Sequence, residues 1–218
     1  MTERDVALTD YALAALCAAL CAGAARWPGA DLKLRGLWML FFASIGTGAL
    51  FGGTVHGFFL DEAGDGHRVL WPASLLAIGV TATTMWFIGS ALHLRGAAAM
   101  WAQGLAVAQF AAYAWVVLFV TNKFYVAIVE YLPATLFLLV VLLLVLTKAP
   151  DRQLALGVAG FLLTFVAAAV QQLRIAIHPV YFNHNALYHL IQGVALSLIY
   201  VGAKGLTITA AALEGHAT

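Results

Sequence analysis

Charge is scarce in this chain. Of 218 residues only 10% are Asp, Glu, Lys or Arg, while 63% are hydrophobic. A soluble domain is nearer roughly half apolar and a quarter charged, so a water-soluble globule is excluded and a polytopic membrane protein is expected. Positive charge is not in excess either. Eleven Lys and Arg nearly balance ten Asp and Glu, leaving +1, which offers no basic surface for nucleic acid. Cysteine is limited to Cys17 and Cys21, one turn apart in an apolar run. That spacing reads as small packing residues on one helix face, with a metal or redox pair as the alternative. The opening MTERDVALTD lacks a basic stretch, so no removable signal peptide of the usual form is expected. Long linkers, repeats and low-complexity tails are also missing, and a single membrane domain over 1–218 is expected.

What is present is a series of apolar runs. A membrane-spanning helix needs about 20 such residues. Seven segments qualify: 9–25, 37–60, 70–92, 97–120, 125–146, 154–177 and 183–206. The predicted fold class is therefore all-α, a seven-helix transmembrane bundle. The joints are short, so successive helices should be antiparallel neighbours. Arg26, Lys33, Arg35, Arg95, Lys148, Arg152 and Lys204 fall on one side and Arg4, Arg68, Lys123 and Arg174 on the other. The richer side should be cytoplasmic, which predicts an external N-terminus and a cytoplasmic C-terminus.

The second segment carries Ser44, Gly48, Gly52 and His56 every four residues, with Ala49, Gly53 and Gly57 one position on. Small residues at this spacing let helices approach closely, so this helix is expected to be central. The fifth reads LFLLVVLLLVLT after Pro133; without a polar face it is expected to meet lipid. The seventh opens with FNHNALYHLIQ, where polar residues stand in place of Leu and Val. Ionisable groups inside a bilayer are costly and mark functional sites. At about 100° per residue, Asn185, His189 and Gln192 share one helix face, and His184 and Tyr188 the next. Asn183 and Asn185 are also candidates to cap this helix.

The antiparallel order sorts these residues by depth. His56, Glu130, Gln171, His184 or Asn185, and His189 all fall near the external end. Glu130 has a competing role as an interfacial acid paired with Arg174 or Lys123. The loop residues Asp61, Glu62, Asp65 and His67 read as solvated, with loose cation binding as the alternative. A catalytic zinc takes three protein ligands, keeps one position for water and makes that water a nucleophile. His56 and His189 with one of His184, Asn185 or Glu130 would supply such ligands. Two histidines on different helices would equally suit the axial positions of a haem.

The motifs GGTVHGFF and FNHNALYHLIQ, with seven helices, resemble the CREST superfamily, which includes the alkaline ceramidases and the progestin and adiponectin receptors. The resemblance implies a zinc held by a helix-two histidine and an HxxxH pair on helix seven. It also implies a serine one turn before the first histidine, a downstream aspartate, and hydrolysis of lipid amides. His56 matches the helix-two ligand and His189 the second histidine of the pair. Asn185 stands at the pair's first position with His184 beside it, and Gly52 stands where the serine would be. The leading expectation is a zinc-dependent hydrolase of a lipid amide or ester. His56, His184 and His189 would hold zinc, with Glu130 or Asn185 as acid, base or orienter. One alternative is a non-enzymatic membrane subunit that binds a ligand, a partner protein or a second copy of itself. The other is a haem- or pigment-binding electron-transfer subunit using His56 and His189.

Overall fold

The structure, a computed structural model, describes residues 3–178 and 181–215, with side-chain surroundings given as far as residue 208. His216 lies outside the described residues. Seven helices follow one another: α1 (Arg4–Ala24), α2 (Leu32–Phe58), α3 (Asp65–His93), α4 (Gly96–Phe119), α5 (Phe124–Lys148), α6 (Arg152–Gln172) and α7 (His184–Gly215). Each is long and apolar enough to cross a membrane. Several begin earlier than their apolar runs. The apolar stretch marks only what must avoid water, whereas a helix continues until its end groups find other partners. Asp31 and Asp151 supply such partners for α2 and α6, accepting from the backbone N–H of Leu34 at 2.6 Å and Leu154 at 2.7 Å. Asn183 does the same for α7, accepting from the N–H groups of Asn185 and Ala186. The expected cap is therefore Asn183, which leaves the Asn185 side chain free for other contacts.

Six helices form a ring in the order α6, α7, α1, α2, α3, α5, and the α5–α6 seam that closes it is thin. The remaining helix, α4, lies outside against α3 and α5 and buries only Ala106, Tyr113 and Val117. The fifth helix, expected to meet lipid, does so on one face only. α5 buries Ala134, Leu138, Val141 and Leu142 in the bundle and turns only its other face, with Leu136 and Val140, outward. An all-apolar helix need not face lipid on every side; periodicity cannot choose a face when no residue is polar.

Glycine sets the helix spacing. A Cβ on Gly53 would lie 2.8 Å from the Cβ of Asp10 and 3.2 Å from the Ala7 carbonyl oxygen, so α1 rests directly on α2 there. At the α6–α7 contact, a Cβ on Gly202 would lie 2.6 Å from the Cα of Gly157. Such close approach maximises dispersion contacts where lipid tails remove the usual hydrophobic drive between helices. The bundle is solid at one end and hollow at the other. Trp38, Phe41, Phe42 and Phe161 are fully buried and pack edge to face or tilted near the start of α2. Further along α2, Gly48, Ala49 and Gly52 bring almost no bulk, and a cavity opens beside them.

Candidate functional site

The cavity has a volume of about 590 Å³ and is lined by all six ring helices, but not by α4. His56, Gln171, His184, Asn185, His189 and Gln192 all line it. The convergence expected for those residues is present, and it arises because α2 and α6 end where α7 begins. Glu130 departs from the expected set. It is buried on the α4 side of α5, where Gln109 Nε2 donates to its Oε2 at 2.9 Å. Its expected partners Arg174 and Lys123 form no ion pair with it among the described residues. Residues 124–131 of α5 put Ala127, Ile128 and Tyr131 toward the cavity, and the helical turn carries Glu130 to another face.

The charged centre of the cavity includes a residue outside the predicted set. Asp10, on α1, is buried, and its Oδ1 lies 3.2 Å from His189 Nε2. The other ring nitrogen, Nδ1, lies 3.1 Å from Thr9 Oγ1. The Thr9 hydroxyl has one proton and can direct it to the backbone carbonyls of Asp5 and Val6, at 2.9 and 3.0 Å. The hydroxyl can equally turn that proton to Nδ1, and in either arrangement one proton serves the contact between Nε2 and Asp10. Nε2 therefore meets Asp10 across a single shared proton, carried either by the carboxyl or by the ring. A buried carboxylate without such a partner would be costly. The sequence signal for Asp10 was available: an aspartate among the alanines and leucines of the first span. It was hidden by its place next to the acidic opening of the chain.

The other oxygen of Asp10 faces a niche over Gly52. A Cβ built there would be 3.6 Å from Asp10 Oδ2 and 3.6 Å from Ser74 Oγ, so the missing side chain leaves room between a carboxyl and a hydroxyl. Ser74 donates to the Gly48 carbonyl at 2.9 Å, which fixes its rotamer. Around this centre lie further polar groups. Gln171 Nε2 donates to Asn185 Oδ1 at 3.2 Å, linking α6 to α7. The side chain of Asn185 is thus an inter-helix tie at the cavity wall. His56 Nδ1 lies 2.6 Å from Glu3 Oε2 without forming an aligned hydrogen bond. The His56 ring meets Trp71 edge-on at 6.3 Å.

His56, His184 and His189 thus share a cavity, but among the described residues no three His, Cys, Asp or Glu side chains gather as a metal-holding group. Both nitrogens of His189 already face protein atoms. Zinc or a haem iron would have to displace Thr9 or Asp10 to bind it. The donor set does not fit the expected three-ligand centre. Cys17 and Cys21 are free thiols; Cys17 packs buried against α2, with its Cβ 2.9 Å from where a Cβ on Gly46 would sit. Asp61 turns its own loop, accepting from the Ala63 N–H at 3.0 Å, and His67 stacks on Trp71.

The cavity has a mouth. The lining residues that are also exposed on the outside of the bundle are Leu132 on α5, Ala168 and Gln172 on α6, and Arg174 just after α6. All four border the thin α5–α6 seam. Pro133, next to Leu132, lacks the N–H that would hold the Val129 carbonyl, so α5 is weakest beside the opening. The exposed rim of the cavity therefore runs along the α5–α6 seam to the end of α6.

The family of unknown function DUF6962 matches residues 6–208. No curated protein matches the chain, and no solved structure matches it.

Proposed function

We propose that this chain, which belongs to the DUF6962 family, is a membrane-embedded hydrolase of lipid amides or esters that works through Asp10 and His189. The reading rests on one observation: a buried carboxyl and an imidazole lie 3.2 Å apart at the wall of a cavity lined by six apolar helices. An amphipathic molecule would enter with its chain leaving between α5 and α6 and its amide or ester lying over Gly52. There Asp10 Oδ2 takes a proton from water as the water oxygen attacks the carbonyl carbon. The same carboxyl then gives that proton to the leaving nitrogen or oxygen as the C–N or C–O bond breaks. His189 stabilises the carboxyl in both forms, and the pair ends as it began, with one shared proton. Ser74 Oγ, on the other side of the niche, gives its proton to the Gly48 carbonyl and is placed to accept from the attacking water. General acid–base catalysis of this kind contributes about 10²- to 10⁴-fold in rate.

The test is release of fatty acid from a long-chain N-acyl amide and a long-chain ester by the purified chain in detergent micelles. Asp10→Asn should remove the activity and Glu130→Gln should keep it. Turnover that survives Asp10→Asn would end this reading. A second reading, a binding chamber without turnover, is favoured by the engagement of both His189 nitrogens with protein groups. Saturable lipid binding without product in the same assay would select it.

A further inference from the structure

Arg174 sits at the cavity mouth in a conformation that suits another residue. Its φ is 54°, and the other left-handed residues among those described are Gly29 and Gly96. The turn is fully formed around it. Arg174 N–H bonds the Gln171 carbonyl at 3.1 Å and Ile175 N–H bonds the Val170 carbonyl at 3.0 Å. That pair of bonds closes a helix C-terminus and favours glycine at the left-handed position. The fold would thus be served better by glycine, yet the chain places a guanidinium there. Among the described residues Arg174 forms no salt bridge, and it is an exposed residue that lines the cavity. Gln172, two residues earlier, is exposed at the same rim.

We infer that Arg174 is the anchor for an anionic head group, so that the cavity selects amphiphiles carrying a phosphate or carboxylate over neutral ones. A guanidinium presents a planar fork of donors that matches such oxyanions two at a time. At the edge of an apolar seam it meets the head of a molecule whose chain lies among the helices. The inference rests on the reading of the cavity as a lipid chamber and adds the charge class of the ligand.

The experiment uses two ether lipids that differ only by a phosphate and carry no acyl bond to cleave, 1-O-octadecenylglycerol 3-phosphate and 1-O-octadecenylglycerol. Equilibrium binding of each to the purified chain is measured in uncharged maltoside micelles, for wild type and Arg174→Gly. The glycine variant suits the backbone, so its melting temperature should be equal or higher and misfolding cannot explain a loss. Wild type should bind the phosphate lipid about ten- to a hundredfold more tightly, the range for a bond to a charged group. The variant should bind both lipids at the neutral lipid's level. Equal affinities in wild type, or a preference that persists in the variant, would overturn the anchor and leave the lipid chamber standing. Competition by sn-glycerol 3-phosphate as strong as that by the lipid would assign the site to free phosphate instead and overturn the anchor as a lipid device. Binding of neither lipid would overturn both readings.

Discussion

Among the described residues two carboxyl groups are buried, Asp10 and Glu130, and their surroundings differ. Asp10 meets an imidazole inside the ring of six helices, at a cavity wall. Glu130 meets the amide of Gln109 outside that ring, between α5 and α4. A primary amide neither gains nor loses net charge near neutral pH, whereas an imidazole takes up and releases a proton there. The first arrangement can move a proton; the second can only hold two helices together. Burial of an acid in a membrane bundle therefore does not by itself mark chemistry. Its partner and its access to a cavity do.

The largest effect should come from treating the two acids alike. Asp10→Asn should lower lipid amide or ester hydrolysis by about 10²-fold or more. Glu130→Gln, measured side by side, should leave the rate within a few-fold and change only the melting temperature. Equal losses of rate would erase the distinction. Next in size, His189→Ala should cost both rate and stability, since it strands Asp10 without its partner. The Asp10→Asn, His189→Ala double mutant should be less destabilised than the sum of the singles, by about 0.5–3 kcal/mol for residues in contact. Additive losses in thermal unfolding would show that the two side chains are not coupled.

A third comparison uses neighbouring glycines. Gly53→Ala should destabilise by about 1–3 kcal/mol, because its methyl would press on Asp10 and the α1 backbone. Gly52→Ala has ordinary contact distances, so it should keep the melting temperature while filling the niche and lowering the rate. The reverse pattern would place the niche elsewhere. The smallest effect is the loss of a cap: Asn183→Ala should lower stability by about 1 kcal/mol in chemical denaturation without changing substrate preference.

Much of this was legible before any coordinates. The apolar runs place the seven helices because length and hydropathy are local properties. The small-residue stripe of α2 shows that neighbours approach it closely, but the central place expected for it is not found: α2 stands in the ring between α1 and α3. Antiparallel order brings His56, Gln171, His184 and His189 to one end. Asp10 was missed for a specific reason: it follows Arg4 and Asp5, and an acid near a charged end reads as interfacial. Glu130 was misplaced because depth along a helix is readable from sequence, but the direction a side chain takes around an all-apolar helix is not.

The sequence by itself determined the number of helices, their apolar character and the depth of each polar residue, since all three follow from order and spacing along one chain. Only the tertiary structure decided that α4 stands outside the ring, that Asp10 shares its proton with His189, and that the cavity opens between α5 and α6. Those depend on how each helix is rotated about its own axis and which helix it touches. Close packing across several helices at once fixes those choices, and no single segment carries that information.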